Sequence, residues 1–466
     1  MKHLSIFALA MLITGAVDGV SNLPSIAIFG SNLIFFFIAA AILFLIPTGL
    51  ISAELCTQMQ GKGGIYAWTK HTLGPKAGII AIWLQWINTM VWFPTCLTTL
   101  VGTLAYLIDP DLSKHPLYLV LASLSVFWLM TILNMKGIHQ SAKIASLATT
   151  LGMIVPMGLI IVLSGLWIVL GKPLALHIHA QNIIPALGQT DSWTSLTSII
   201  AAFLGMELAT VHVSKVQNAK RVFPKALIYS IIMILLTMGL GSLGVALVIP
   251  HDTIVLVTGT IQAFDALFDG LHLHWLEKVM GISLLFGSLG TMVNWLISPA
   301  QGFLQAAQDG YLPKVLAKEN QHGVAGNMLI MQGIVVSLFS TAFFVMPSIN
   351  GSYWLLLDLS TQLYVMMYIL MFIVAIIYLK KVDKVIVIPG KKPAAVALCV
   401  AGLAGCLITF AVGFFPPSGI NVGGTFHYVI LFSGGLVTML LPLGLLYAYH
   451  AYQTAKTTGK NQAWPA

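Results

Sequence analysis

Two carboxylates stand where a bilayer would make them expensive. Asp18 lies in GAVDGVSNLP (15–24), inside an apolar run from Leu4 to Ile28. Glu207 closely follows Gly205 in SIIAAFLGMELATVHVSK (198–215), a second apolar run. A carboxylate in hydrocarbon costs roughly 2.5 kcal/mol or more. Both sit beside helix breakers: Gly15, Gly19 and Pro24 in the first run, Gly205 in the second. Breaking a helix frees N–H and C=O groups, which persist in a membrane only where they face protein or a wet cavity. Freed N–H groups hold carboxylates; freed C=O groups hold ammonium groups or cations. An α-amino acid presents both ions, so two breaks side by side would form a zwitterion receptor. Tyr364 and Tyr368 are four apart and share a helix face. Their hydroxyls need polar partners inside an apolar bundle, and a wet path would supply them.

Each polar residue has more than one reading. Asp18 is held protonated, binds a cation or a substrate amine, or caps the helix that restarts after the break. Glu207 serves coupling or gating, or ties the unwound strand by a local hydrogen bond. Asp358, just after SYWLLL, marks either the outer membrane interface or an outer gate. Glu54 closes an apolar run and is expected to tie to a loop lysine or a backbone amide. His212 is a packing residue or a pH sensor.

The elements that must position these residues are membrane helices. The chain of 466 residues is 58% hydrophobic and 8% charged, with mean hydropathy +0.93. Soluble domains carry about 25% charged residues, so this chain cannot cover a water-facing surface. A bilayer core of about 30 Å takes roughly 20 apolar residues per helix. The runs 5–29, 31–56, 78–108, 116–135, 143–170, 192–214, 225–249, 278–306, 327–346, 352–379, 394–415 and 427–450 make twelve spans. The first is expected to be retained rather than cleaved as a signal peptide. With the amino terminus cytoplasmic, 19 of the 22 basic residues fall inside and only Lys114, Lys172 and Lys278 outside. That asymmetry is the positive-inside pattern and places both termini in the cytoplasm. It also accounts for the net charge of +8 without a nucleic-acid partner.

The broken runs are the first and the sixth. An odd number of helices per repeat inverts the second copy, and paired interruptions at matching places point to a midplane transport site. No His-Glu-x-x-His set, nucleophile–base set, filter-like glycine run or Walker loop is present, and the four cysteines lack metal spacing. Enzyme, channel and ATP-driven classes are therefore disfavoured, and no metal or cofactor is expected.

Three stretches resemble the amino acid–polyamine–organocation superfamily: SAELCTQMQGKGGIYAWTKHTLGPKAGIIAIW (52–83), FLGMELATVHVSKVQNAKRVFPKAL (203–227) and NWLISPAQGFLQAAQDGYLPKVLAKENQHGVAGN (294–327). NLPSIAIFG (22–30), WFPT (92–95), HVSKVQN (212–218) and LYVMMY (363–368) resemble the glutamate:GABA antiporter family in particular. The resemblance implies an all-α membrane protein of the LeuT type. Residues 1–170 and 192–379 would be two inverted five-helix repeats, 394–450 two further helices, and 451–466 a short cytoplasmic tail. It implies amino acid transport across the cytoplasmic membrane of a bacterium by exchange, with proton- or sodium-coupled symport as the alternative. Carried over by position, Asp18, Gly19 and Val20 match the unwound part of helix 1, and Phe203 and Gly205 the break in helix 6. Glu207 matches a coupling or gating glutamate. Trp295, Tyr364 and Tyr368 match aromatics along the substrate path. Departures stand at Val17-Asp18-Gly19, where Gly-Ser-Gly is usual, and at Ser21, Ala201 and Thr291, where the family carries other functional residues. The long carboxy-terminal plug of the acid-resistance exchanger has no counterpart here.

Overall fold

The computed structural model describes residues 6–59, 64–136, 147–148, 150–176, 183–185, 190–208, 210, 219–313, 315–316, 318–383, 385 and 387–461. All regular elements among these residues are helical. The first run is split: α1 covers Ile6–Val17 and α2 covers Leu23–Ala27. Gly19 between them is extended (φ −153°, ψ 119°), and Val20–Asn22 forms a single 3-10 turn. Pro24 falls in the first turn of α2, where its missing N–H costs nothing.

Then follow α3 (Asn32–Gln58), α4 (Ile65–Leu73), α5 (Pro75–Ile108), α6 (Pro116–Met135) and α7 (Thr150–Val169). The sixth run supplies α8, Ser195–Phe203. It stops where Leu204 turns extended (φ −68°, ψ 149°) and Gly205 takes φ +99°. Only glycine adopts that conformation without strain, so the break is written into the residue type. The chain continues as α9 (Ala219–Val248), α10 (Gly259–Gly270), α11 (Trp275–Gln308), α12 (Gly326–Val345), α13 (Ile349–Lys381), α14 (Lys391–Val412) and α15 (Thr425–Asn461).

Ten helical segments among the described residues are long and apolar enough to cross a bilayer. Burial sorts them. The apolar windows of the broken first run, α5 and α13 are 69%, 67% and 61% buried, that of α15 only 22%. So α5 and α13 form the centre of the bundle, packed on one another and on α11 and α14, while α15 lines its outside. Phe7, Leu441 and Leu445 stand exposed on the periphery. Such a surface is stable only against lipid, making this a multi-pass membrane protein.

One expectation changes. Asp358 is 1% exposed and lies in the bundle, not at the interface. It accepts hydrogen bonds from Tyr428 of α15 (2.5 Å) and Gln362 (2.9 Å), whose amide also reaches the Thr409 carbonyl of α14 (3.1 Å). These partners supply the polar environment that lipid headgroups were expected to give. Glu54 takes a backbone amide, Val387 N–H at 2.7 Å, one of its two expected partners, and also accepts from Gln58 at 2.8 Å. His212 lies outside the described residues.

Candidate functional site

At the α1–α2 break the peptide groups and side chains are tied to three neighbours. The Asp18 carboxylate accepts from Thr237 of α9 at 2.6 Å through Oδ2. The Val20 carbonyl accepts from Thr260 of α10 at 3.0 Å, and the Ser21 carbonyl from Tyr353 of α13 at 3.5 Å. Asp18 therefore does not cap α2; neither start position, Gly19 or Asn22, has a side-chain cap. Its other oxygen, Oδ1, is buried and has no hydrogen-bond partner among the described residues. An unpaired buried polar atom costs about 1–3 kcal/mol, so this oxygen calls for a ligand.

Asp18 lines a cavity of about 110 Å³, room for several waters or one small solute. Val17–Asn22 forms one side. A stripe of α5 lines it as well: Asn88, Trp92, Cys96, Thr99 and Thr103. Steps of three and four residues keep these on one helix face. Asn88 is fixed by donating to Ser360 of α13, at 2.6 Å to the carbonyl and 2.9 Å to the hydroxyl. Trp92 meets Trp295 of α11 with ring centroids 5.2 Å apart, and both rings line the space. Where α7 crosses α11, Gly152 and Gly287 touch backbone to backbone: a Cβ on Gly152 would lie 2.0 Å from the Gly287 Cα. Small residues allow that approach, a usual device between membrane helices. Ala201 and Leu204 complete the wall at the end of α8.

Of the expected site residues, Asp18, Gly19, Val20, Trp295 and Tyr364 line this cavity, whereas Phe203, Gly205, Glu207 and Tyr368 do not. Phe203 turns the other way and packs edge-on against Phe37 of α3, centroids 5.1 Å apart. Glu207, 1% exposed, lies behind Tyr364. Its Oε1 accepts from Tyr364 (2.5 Å) and Gln85 (3.0 Å), and its Oε2 from Tyr368. The Tyr368 hydroxyl in turn accepts the Gly205 N–H at 3.0 Å. A chain of hydrogen bonds thus runs from the broken backbone to the carboxylate, and Tyr364 joins that cluster to the cavity. The tyrosine hydroxyls find their polar partner in Glu207, and the carboxylate reaches the unwound strand through Tyr368.

The α5 stripe and the Thr237 and Thr260 anchors were not anticipated. NTMVWFPTCLTTLVGT (88–103) carries the stripe's spacing in plain view. The threonines are single residues on distant helices, and only the fold brings them to the break.

A multi-helix membrane protein with a polar cavity at a broken helix is the architecture of a solute transporter. The comparisons sharpen that class: residues 4–437 match the amino acid permease family model, and the chain belongs to that family. It is 36% identical over 439 residues to an uncharacterized transporter of Legionella pneumophila, covering 94% of each chain. It is 30% identical over 458 residues to a glutamate/gamma-aminobutyrate antiporter of Lactococcus lactis, covering 96% of this chain and 91% of the other. A manganese transporter of Eremococcus coleocola shares the fold, with TM-score 0.58 at 14% identity over 96% of this chain and 94% of that one.

Proposed function

We propose that the protein is a secondary transporter of amino acids or related amines in the cytoplasmic membrane of a bacterium, working by alternating access and exchange. The observation that carries this reading is the buried carboxylate of Asp18 in the lining of the cavity at the α1–α2 break, one of its oxygens without a partner among the described residues. The Val20 and Ser21 N–H groups there have no backbone acceptor among the described residues, as expected at a helix start. An ammonium on Oδ1 and a carboxylate on those N–H groups is a pairing an α-amino acid makes naturally. The likeness to the glutamate/gamma-aminobutyrate antiporter supports exchange as the mode.

In this reading the ten spans, together with α11 and the broken helix at α8, give twelve. Residues 1–170 and 192–379 form inverted repeats, 394–450 adds two helices, and both termini are cytoplasmic. Trp295, Tyr364 and the α1–α2 backbone touch the solute. Glu207 senses occupancy through Tyr364 and passes it to the α8 break through Tyr368 and Gly205. Rocking of the broken helices then opens the cavity to one side or the other.

Asp18 favours one second reading: its free oxygen takes a proton or Na⁺ and the transporter runs as a symporter. Counterflow in liposomes separates the two. Exchange requires a loaded counter-substrate; symport fills empty vesicles under an imposed proton or sodium gradient. Uptake in neither format refutes the transport reading.

A further inference from the structure

Among the described residues, the cavity wall carries three titratable side chains, Asp18, Cys96 and Tyr364, and no Lys, Arg or His. The helices packed on the break bring neutral groups to it: Thr237 from α9, Thr260 from α10, Tyr353 from α13. The nearest further carboxylate in the hydrogen-bond network, Glu207, is screened from the cavity by the Tyr364 hydroxyl. The charge of this site therefore comes from Asp18 alone. Thr237 fixes one of its oxygens and leaves the other buried without a partner among the described residues, in a residue that lines the cavity along with the Trp92–Trp295 pair. Aromatic faces attract a cation and offer nothing to an anion.

We propose that Asp18 is a charge filter: it holds the ammonium group of amines of net charge zero or positive, and turns away amino acids bearing two carboxylates. The inference rests on the transport reading above and deepens it. A ligand with one carboxylate and one ammonium meets Asp18 with its ammonium. A second ligand carboxylate has no cation in the wall to offset Asp18. Two carboxylates about 6 Å apart at an effective dielectric near 20 repel enough to lower occupancy about a hundredfold. Relaxation and water leave at least a tenfold effect.

The test uses pairs matched in size and differing in charge. Purified full-length protein is titrated at pH 7 with glutamine against glutamate and asparagine against aspartate. γ-Aminobutyrate and putrescine extend the series. Binding is read as a thermal shift, and the same compounds compete in liposome counterflow. The filter predicts that each amide binds at least tenfold more tightly than its acid, and that Asp18→Asn narrows the gap to about threefold or less. Should that variant not purify, the wild-type order decides alone. Acids binding as well as amides would overturn the filter, as would a wild-type protein that binds none of the series; an Asp18 held permanently protonated gives the first result. A clear charge order in binding without counterflow would leave the filter standing and remove the transport reading instead.

Discussion

Tyr368→Phe isolates the cluster behind the cavity with almost no change in shape. The hydroxyl it removes does two jobs: it donates to Glu207 Oε2 and accepts the Gly205 N–H. Both groups are buried, so both are left unpaired, at about 1–3 kcal/mol each. The total is about 2–6 kcal/mol, with little cavity term because only one oxygen is lost. Tyr364→Phe is the internal control. It removes a donor from Oε1 and a long contact from Gln85 Nε2 (3.4 Å), but Oε1 and Gln85 keep each other at 3.0 Å and neither is left unpaired, so the loss is about 1–3 kcal/mol. At about 2.1 cal/mol/K per residue, a chain this long loses roughly 1 °C of Tm per kcal/mol. Scanning fluorimetry of the purified protein in detergent should show Tyr368→Phe lowering Tm by about 2–6 °C, roughly twice the effect of Tyr364→Phe. Equal effects, or a Tyr368→Phe Tm within about 1 °C of wild type, would show that the hydroxyl does not hold the α8 break.

Three further outcomes are expected. Thr237→Val removes the side-chain donor to Asp18, and a double-mutant cycle with Asp18→Asn should give a coupling of about 0.5–3 kcal/mol in unfolding; additivity would deny the contact. Gly152→Ala places a methyl against the Gly287 backbone, which no rotamer change relieves; overpacking of about 1–3 kcal/mol should lower Tm and cut initial transport rates severalfold, and an unchanged rate would mean the α7–α11 crossing does not shape the path. Asp358→Ala strands the Tyr428 hydroxyl and opens a small void, about 2–4 kcal/mol, while Asp358→Asn should restore most of the lost Tm because an amide oxygen can still accept; equal losses would place charge rather than hydrogen bonding at the root.

How much of this could be read from the residues follows from what each feature depends on. Gly19 and Gly205 announced both breaks because backbone freedom is a property of the residue itself. Span positions followed from charge scarcity, and α5 and α13 lie within three residues of the runs at 78–108 and 352–379. Phe203 faces α3 while Leu204 lines the cavity, because one step along the chain at the end of α8 decides which way a side chain points. The interface reading of Asp358 fails because sequence depth in a span says nothing about which helices lie alongside; only packing shows α14 and α15 covering it. The Thr237 and Thr260 anchors depend on contacts across 219 and 240 residues, which no local pattern carries. The α5 stripe was legible and passed over, since its polar residues are small and sit among large apolar ones.

Cys96 offers the most direct test of the central claim, that solute occupies the cavity at the α1–α2 break. It lines that cavity, while Cys56, Cys399 and Cys406 are buried elsewhere in the bundle. In a chain with those three replaced by alanine, the rate at which a small thiol reagent modifies Cys96 is measured with and without a saturating transported amino acid. The account predicts that modification blocks counterflow and that the amino acid slows it at least fivefold. Labelling at an unchanged rate, or labelled protein that still transports, would place the solute elsewhere.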